Sequence, residues 1–414
     1  MPAGRGHFKW AIARALGLRI SGVGRAFAEA VAARWRGAWA TRRAKVSSDL
    51  GRTHRARGPR WDASAEGLLA AAEGHRPWVD LEGSFWPTAL PMDALVTGAN
   101  GFVGRTLVRW LVATGRSVRA LVRPGSDLGA WPAGVEVIRG DAMDLKALRR
   151  AVDGCALVYH LAGVRRAPDR QTFLTVNAGS TELLLDACLE RGAARGRFVL
   201  AGSLASLGPS REGRREEDPF APAEWYGESK AEAERIALSY RDRLPVAIGR
   251  PPRILGPGDR ENLLFFRLVA RGLLVRIPGP ERPLSFVDVD DCARGFLMLG
   301  ERPEAVGEAF FLASAERTSL VGLQEEVARA LGVRARPLPV PPGVLWALAF
   351  AADGLSRVTG RRLPLNRKLA RQILAPGWTC HTDKAERLLG FRATTTLEAS
   401  VARSARYYRE HHWL

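Results

Sequence analysis

Three side chains in the middle of the chain have the types and the spacing needed to move a proton to or from a substrate oxygen. Tyr226 and Lys230 are four residues apart, so on a helix they share one face, about one turn apart. A free phenol has a pKa of about 10, and a neighbouring ammonium lowers it by stabilising the phenolate. Ser203 ends a β-rich run, where its hydroxyl can polarise a carbonyl. The set predicts acid–base chemistry at Tyr226, although a tyrosine–lysine pair alone also fits an ordinary helix surface.

A glycine turn that fits a dinucleotide lies upstream of these residues. From Met92 to Asp127 the pattern is strand, glycine turn, helix and strand, the first unit of a nucleotide-binding parallel sheet. Gly98, Gly101 and Gly104 permit a tight turn, close approach of a pyrophosphate to the backbone, and close packing of the helix. A chance match is the alternative in a chain with 43 glycines, but the flanking strand and helix favour a binding site.

These motifs resemble the extended branch of the short-chain dehydrogenase/reductase superfamily over about residues 92–414. The resemblance rests on the glycine turn with its leading Thr97, the Y-G-E-S-K run at 226–230 and the R-P-P-R-I-L-G-P-G-D run at 250–259. The branch includes NAD-dependent epimerases and dehydratases. Weaker features, an apolar run near residue 343 and an L-V-R-P run, are similar to 3β-hydroxysteroid dehydrogenases and dihydroflavonol reductases.

The resemblance implies a role for each matching residue. Ser203, Tyr226 and Lys230 would form the catalytic set, with Asn177 as a further member because it matches the asparagine of a V-N-x-x-G-T pattern. Ser180 stands in place of the glycine of that pattern. The expected cofactor contacts are Thr97, Gly98, Asn100, Gly101, Phe102, Val103, Gly104, Arg105, Arg123, Asp141, Ala142, Leu161, Ala162, Gly163, Tyr226, Lys230, Pro251 and Ile254.

The end of the second strand bears on the choice of cofactor. A carboxylate there would bind the adenosine ribose of NAD and repel a 2′-phosphate. This chain has Arg123 instead, with Arg105 directly after the last glycine, and both can make charge-assisted contacts to a phosphate. The alternative is two solvated arginines. We therefore expect NADP(H) to be favoured, with NAD(H) as the other option.

Three further positions carry local expectations. His160 lies within a buried strand pattern, so we predict a structural role rather than catalysis. The family usually shows two serines where this chain has Gly202-Ser203. The run Ser285–Asp291 resembles a v-x-V-x-D motif whose last aspartate precedes a helix, and an aspartate in that place is expected to cap the helix.

The fold class that we predict is α/β, with a doubly wound Rossmann-type parallel sheet and a smaller C-terminal substrate lobe. The predicted boundaries are a basic N-terminal extension at residues 1–91, a nucleotide-binding domain with the catalytic residues at 92–260, and a mainly helical lobe with interleaved strands at 261–414. The extension is expected to pack poorly. It could be a targeting or membrane-surface segment or a helical appendage, but Met92 lies where family members begin, which favours an over-long gene prediction.

Composition limits the remaining classes. The net charge is +19, but residues 1–48 hold ten Lys/Arg and one acid, and no aromatic or motif signal accompanies them, so we expect no nucleic-acid partner. Four widely spaced cysteines indicate neither disulfides nor a metal site and favour the cytoplasm.

No apolar stretch reaches the roughly 18 residues of a membrane span. The run 343–352 is expected to be a buried helix, with a helix touching a lipophilic pocket or a membrane surface as the alternative. Oligomeric state stays open, and a homodimer fits.

Three functions remain, all with a small-molecule ligand. The first is NADP(H)-linked interconversion of a carbonyl and a secondary alcohol on a fairly apolar molecule. The second is a nucleotide-sugar epimerase or dehydratase with tightly held NAD, for which four arginines outside any motif could bind a diphosphate: Arg253, Arg260, Arg267 and Arg282. The third is a cofactor-sensing binding protein, which the intact Ser203, Tyr226 and Lys230 disfavour.

Overall fold

The structure, a computed structural model, describes residues 92–129, 131–359 and 365–414. The predicted N-terminal extension lies outside the described residues. Strands, numbered in chain order, are β1 (Met92–Thr97), β2 (Val118–Val122), β3 (Glu136–Arg139), β4 (Cys155–His160), β5 (Arg197–Ala201), β6 (Ser210–Arg214), β7 (Val246–Arg250), β8 (Arg253–Leu255), β9 (Leu273–Arg276), β10 (Pro283–Asp288), β11 (Ala309–Phe311), β12 (Arg317–Ser319), β13 (Arg336–Pro339) and β14 (Trp378–Cys380).

Helices lie between these strands. In chain order they are α1 (Phe102–Ala113), α2 (Leu145–Val152), α3 (Arg170–Phe173), α4 (Ser180–Arg191), α5 (Trp225–Ser239), α6 (Leu263–Ala270), α7 (Val289–Glu301), α8 (Leu320–Leu331), α9 (Pro342–Thr359), α10 (Arg367–Leu374), α11 (Asp383–Leu389) and α12 (Leu397–Glu410). A π-helical turn, Leu174–Gly179, joins α3 to α4, and short 3₁₀ turns occupy Leu204–Ser206 and Pro303–Ala305.

A seven-stranded parallel sheet organises the described part of the chain. Its order is β11-β7-β5-β4-β1-β2-β3, so the strand order reverses between β1 and β4. Helices α1 and α7 pack together on one face, and α2, α4 and α5 follow one another on the other. The predicted doubly wound α/β fold is confirmed, and its switch point lies at the C-terminal ends of β1 and β4, where ligands bind in such sheets.

The burial of these strands explains why their pattern is nearly continuous apolar sequence. Every residue of β4 and β7 is buried, as expected for parallel strands covered on both faces. The core between the sheet and α1 and α7 includes Leu107, Tyr159 and Phe296, all at most 1% exposed. Small side chains and glycines on α7 let it approach the sheet closely, since a Cβ on Gly300 would lie 2.1 Å from the Tyr159 hydroxyl oxygen.

A second sheet contains five strands. Its order is β12-β10-β14-β6, with β8 also paired to β10, and β9 and β13 form a separate pair. Strand β6 precedes residue 260, yet it lies in this second sheet, whereas β11 follows residue 260 and joins the large sheet. The chain therefore crosses between the sheets on both sides of the predicted boundary.

Two local expectations need correction. The apolar run near residue 343 is part of the longer helix α9, which is not fully buried: Leu345 and Ala349 are covered, but Val344, Phe350 and Leu355 are each more than 40% exposed. This helix packs on one side only. None of the described helices is long and apolar enough to cross a membrane.

The second correction concerns the aspartate that begins α7. Asp288 caps the helix, because its side chain accepts a hydrogen bond from the Asp290 N–H. The last aspartate of the motif, Asp291, lies inside the first turn and binds a distant segment instead: its carboxylate accepts the backbone N–H groups of Thr394 and Thr395 at 3.1 and 2.9 Å.

Candidate active site

The glycine turn is as compact as its spacing predicts. Gly98 has a φ of +66°, and a Cβ at this position would lie 2.7 Å from the backbone nitrogen of Ala162. A Cβ on Gly104 would lie 2.3 Å from the Gly98 carbonyl oxygen, so only glycine fits at position 104 in the first turn of α1. No side chain caps the first turn of α1 and no acid lies in it. Its N–H groups can therefore receive an anion, as at other helix N-termini.

The end of β4 is bonded to the end of β1 through buried side chains. The Thr97 hydroxyl accepts the Ala162 N–H at 3.2 Å and lies 2.7 Å from Nδ1 of His160. The other ring nitrogen of His160 lies 3.3 Å from the Ser180 hydroxyl. Burial, with a smaller contribution from the charge of Lys230, lowers the pKa of His160 to about 3. The ring is neutral near pH 7 and holds the two strands together, which confirms its predicted structural role.

Lys230 reaches from α5 to the same place. Its ammonium donates to the Ala201 carbonyl at the end of β5 at 2.7 Å, and a Cβ on Gly163 would lie 3.7 Å from Nζ. The side chain is 6% exposed, and burial is the main cause that lowers its pKa to about 8. Lys230 thus joins α5 to the ends of β4 and β5, beside the glycine turn.

Tyr226 and Ser203 face each other across this position. The Ser203 hydroxyl oxygen accepts the Ala205 N–H at 3.1 Å, so its own hydrogen is available for a substrate oxygen. Burial raises the pKa of the Tyr226 phenol, while the Arg165 guanidinium and the Ser203 hydroxyl lower it. The structure therefore brings together the serine, tyrosine and lysine that the sequence singled out, with Ser203 in the turn after β5 and the other two on α5.

Asn177 lies in the π-helical turn and is 1% exposed. Its side-chain oxygen accepts the Val164 N–H at 2.7 Å, and its amide donates to the Val164 carbonyl at 3.0 Å and to the Ser229 hydroxyl at 2.8 Å. The side chain holds the loop after β4 against α5. The extra residue in the π turn directs Asn177 toward that loop, a use of π turns common at functional sites.

Comparison with known proteins agrees with this geometry. A model of the NAD dependent epimerase/dehydratase family matches residues 94–313. Sterol demethylase protein B of Methylococcus capsulatus is 30% identical over 337 residues, covering 77% of this chain and 99% of its own. Ceramide reductase of Caulobacter vibrioides is 28% identical, covering 77% and 95%. The structure of MoeE5 in complex with UDP-glucuronic acid and NAD is 25% identical with a TM-score of 0.61, covering 77% and 99%.

The chain belongs to the NAD dependent epimerase/dehydratase family. It is an NAD(P)-dependent oxidoreductase of the extended short-chain dehydrogenase/reductase type, as the sequence predicted. The residues present fit the family's dinucleotide, because the glycine turn leaves room for a pyrophosphate over uncapped helix N–H groups.

The two arginines expected at a 2′-phosphate differ in their surroundings. The Arg105 guanidinium donates to three carbonyl groups, those of Asn100, Asp127 and Leu128, at 2.9 to 3.1 Å. It holds the loop after β2 against the glycine turn. Arg123 is exposed, and its side chain makes no hydrogen bond or ion pair within the described part of the chain. Arg123 is therefore the arginine available to a phosphate.

The other expected cofactor contacts lie in β8, at the start of α1 and in the loops that follow β1, β3, β4 and β7. The Asp141 carboxylate accepts the Met143 N–H at 2.8 Å, which orders the turn containing Ala142 after β3. The Leu161 N–H donates to the Thr97 carbonyl at 3.2 Å, and the Pro251 carbonyl accepts the Leu204 N–H at 3.2 Å. Partly buried side chains of the group are Asn100, Phe102, Val103, Leu161 and Ile254. Their contacts with a cofactor remain a prediction.

No sequence pattern pointed to a buried network behind Ser203. The Glu234 carboxylate accepts the Ser203 N–H at 3.3 Å and the Ser206 hydroxyl at 2.8 Å, and it receives the Arg250 guanidinium at 2.7 Å. A Cβ on Gly202 would lie 2.4 Å from this carboxylate. The Glu234 side chain therefore fills the space that a side chain at position 202 would need. The available signal was the position of Glu234, one turn after Lys230 on the same helix face.

Proposed function

We propose that the protein is an NADP(H)-preferring oxidoreductase that interconverts a carbonyl and a secondary alcohol on a fairly apolar small molecule. The observation that carries this proposal is the convergence of Ser203, Tyr226 and Lys230 beside Gly163, where β4 ends next to the glycine turn. An ordinary tyrosine–lysine pair on a helix surface would not be expected to lie beside both a buried serine and the glycine turn.

Each side chain has a distinct part in this reaction. A bound nicotinamide would supply or accept the hydride. The Ser203 hydroxyl oxygen accepts the Ala205 N–H, which orients the side chain, and its hydrogen is donated to the substrate oxygen. Tyr226 transfers the proton between its phenol and that oxygen. Lys230 stays anchored on the Ala201 carbonyl, where its remaining N–H groups can bind the ribose of the cofactor.

The preference for NADP(H) rests on Arg123. Its exposed guanidinium follows β2, where a carboxylate would select NAD, and a guanidinium there suits a 2′-phosphate. Arg105 adds positive charge nearby, although three carbonyl groups already hold its N–H groups. We expect NADPH to bind more tightly than NADH.

An apolar substrate is supported by the contacts of the four arginines that could have bound a diphosphate. The four arginines considered for that role already have protein partners: Arg253 binds Asn262, Arg260 lies over the Trp413 ring, Arg267 binds the Trp413 carbonyl and Arg282 binds the Pro280 carbonyl. The relatives named as acting on sterols and ceramide have lipophilic substrates. The alternative, a nucleotide-sugar epimerase with bound NAD, is favoured by the similarity to MoeE5.

The test compares cofactor use and the role of the phenol. Ketones, sterols and nucleotide sugars are assayed with NADPH and NADH, using wild type and Tyr226→Phe. We expect Tyr226→Phe to lower kcat by about 10²- to 10⁴-fold with nearly unchanged affinity for NADPH, because the phenol acts in proton transfer. Tyr240→Phe, the same change at the end of α5, is the control.

Two outcomes would contradict the proposal. Full activity of Tyr226→Phe would remove the mechanism. Purified protein that carries tightly bound NAD, and turns over a nucleotide sugar without added cofactor, would establish the epimerase instead.

A further inference from the structure

Two cations other than Lys230 face the ring of Tyr226. The guanidinium carbon of Arg165, in the loop after β4, lies 5.8 Å from the ring centroid. The ammonium of Lys368, on α10, lies 5.0 Å from it. Neither belongs to a motif that the sequence indicated, and together they place positive charge where the substrate must approach the phenol.

The charge of Lys368 is already neutralised. Its ammonium lies 3.2 Å from the Glu224 carboxylate, whose side chain is 4% exposed, and it donates to the Arg165 carbonyl at 3.1 Å. Gln372, one turn further along α10, also donates to Glu224. These contacts join α10 to the N-terminal end of α5. Because the protein already neutralises the charge of Lys368, this residue does not require an anion from the substrate.

Arg165 differs from its neighbours in having no such partner. Arg166 pairs with Glu261 at 3.2 Å, and Arg170 pairs with Glu228. The Arg165 side chain is exposed, and among the residues that the structure describes its guanidinium makes no hydrogen bond or ion pair. One unpaired cation thus lies beside the proposed proton-transfer group, two residues after Gly163.

We propose that Arg165 binds a carboxylate of the substrate, one or two carbons from the reacting carbonyl or alcohol. The proposal rests on the proposed oxidoreductase function and defines its substrate class as 3-oxo and 3-hydroxy acids with an apolar remainder. A guanidinium matches the two oxygens of a carboxylate, with N–O distances of about 2.7–2.9 Å. With the substrate oxygen hydrogen-bonded to Tyr226 and Ser203, a carboxylate one or two carbons away is within reach of a guanidinium 5.8 Å from the ring.

The count of charges favours a carboxylate over a diphosphate. A single unpaired guanidinium balances one negative charge, whereas a diphosphate would need further cations. Arg166, Arg170 and Lys368 are each held by a carboxylate of the protein itself. A neutral analogue would leave the Arg165 guanidinium without a hydrogen-bonded carboxylate, with only the more distant charges of Glu261, Asp259 and Glu224 to balance it. Sites built for a polar group discriminate strongly against analogues that lack it.

The experiment uses two probes that differ only in charge, 3-hydroxydecanoate and its methyl ester. Their dissociation constants are measured by calorimetry on the full-length protein saturated with NADP⁺, for wild type, Arg165→Gln, Arg165→Lys and Arg166→Gln. We expect wild type to bind the acid at least about tenfold more tightly than the ester, a difference of about 1.4 kcal/mol. The ratio should fall to about one in Arg165→Gln and recover in part in Arg165→Lys.

Arg166→Gln is the matched control, because the side chain that it removes is already paired with Glu261. It should keep the wild-type ratio. The unfolding temperature of Arg165→Gln should equal that of wild type, since the exposed side chain has no partner to lose among the described residues. An equal ratio in wild type and Arg165→Gln, or failure of wild type to bind the acid, would overturn the proposal.

Reduction of NADP⁺, followed at the same time, separates this proposal from the proposed function. Arg165-dependent binding of the acid without its oxidation would support the carboxylate site and contradict the oxidoreductase assignment for this substrate. Equal oxidation of acid and ester by wild type and Arg165→Gln would support the oxidoreductase and contradict the carboxylate site.

Discussion

At the scale of single residues, burial acts in opposite directions on the two members of the tyrosine–lysine pair. It raises the pKa of Tyr226 and lowers that of Lys230 to about 8, so both shifts favour the uncharged form. The sequence suggested that Lys230 makes the phenol acidic. In the structure the groups that lower the pKa of Tyr226 are Arg165 and Ser203, while the Lys230 ammonium is bound to a carbonyl. The positive charge that lowers the pKa of Tyr226 therefore comes from the loop after β4, not from α5.

His160 supports a prediction about pH at the same scale. Its pKa is about 3 in the folded protein, against about 6.5 when unfolded, so between these values only the unfolded state takes up the proton. Stability from the neutral ring is complete above pH 6.5 and falls as the pH drops, by about 1.4 kcal/mol per unit. His160→Gln should lose this part of the pH dependence. Urea unfolding of both proteins from pH 7 to pH 4 measures the difference, and parallel curves would contradict it.

At the scale of elements, a buried ion pair joins α5 to β7, which lies next to β5 in the large sheet. Glu234 on α5 is fully buried and Arg250 on β7 is 4% exposed, and the glutamate also holds the Ser203 N–H. The spacing between Ser203 on the strand side and Tyr226 on the helix side therefore depends on a carboxylate two turns along α5. A change at Glu234 should therefore alter both the stability of the protein and the position of Ser203.

Glu234→Gln tests this dependence. Removing the carboxylate charge leaves the buried Arg250 without a counter-ion, which should lower the free energy of unfolding by about 3–5 kcal/mol. Glu232→Gln is the control, because Glu232 pairs with Arg235 on the exposed face of the same helix and should cost less than about 1 kcal/mol. Urea unfolding of both variants gives the comparison. Similar decreases in the free energy of unfolding of the two variants would show that the buried ion pair stabilises the protein no more than the exposed one.

The same elements show what a sequence can and cannot predict. Strands β1, β4 and β7 were predictable to within about two residues, because strands covered on both faces leave continuous apolar runs. Strand β6, Ser210–Arg214, carries no apolar pattern, and its partner β14 has three residues, so tertiary pairing alone defines them. The π turn that contains Asn177 separates α3 from α4, and no residue pattern in the sequence marks this break.

Residues of the site follow a similar division. The glycine turn and the tyrosine–lysine pair were predictable because their roles need fixed spacing along one turn or one helix. Arg165 and Glu234 were not, since each acts on a partner far away in the chain. Arg105 is an example of a position that suggested more than the structure shows. Its place in the sequence suggested a phosphate contact, whereas its guanidinium donates to three backbone carbonyl groups.

At the scale of the whole described region, carboxylates at the junction of β10 and α7 bind the C-terminal helix, α12, and the segment before it. Asp288, fully buried, accepts the Ser400 hydroxyl at 2.6 Å and the Arg403 guanidinium at 2.7 Å, both from α12. Asp291 holds the segment before α12 by two backbone N–H groups. Helix α12 in turn covers a second apolar core around Phe266 and Tyr408. The position of α12 on this core therefore depends on two carboxylates at the N-terminal end of α7, those of Asp288 and Asp291.

Asp291→Asn should loosen this fastening. Burial raises the pKa of Asp291, but hydrogen bonds from Arg294, Thr395 and Thr394 outweigh it and hold the pKa below its ordinary value, so the charged form is the one that binds. An amide cannot accept both backbone N–H groups with two oxygens, and the loss should be about 2–3 kcal/mol of unfolding free energy. Asp290→Asn, at the partly exposed neighbour, should cost less than about 1 kcal/mol. Hydrogen exchange at the Thr394 and Thr395 amides should rise only in Asp291→Asn, and unchanged protection there would mean that other contacts hold α12 in place.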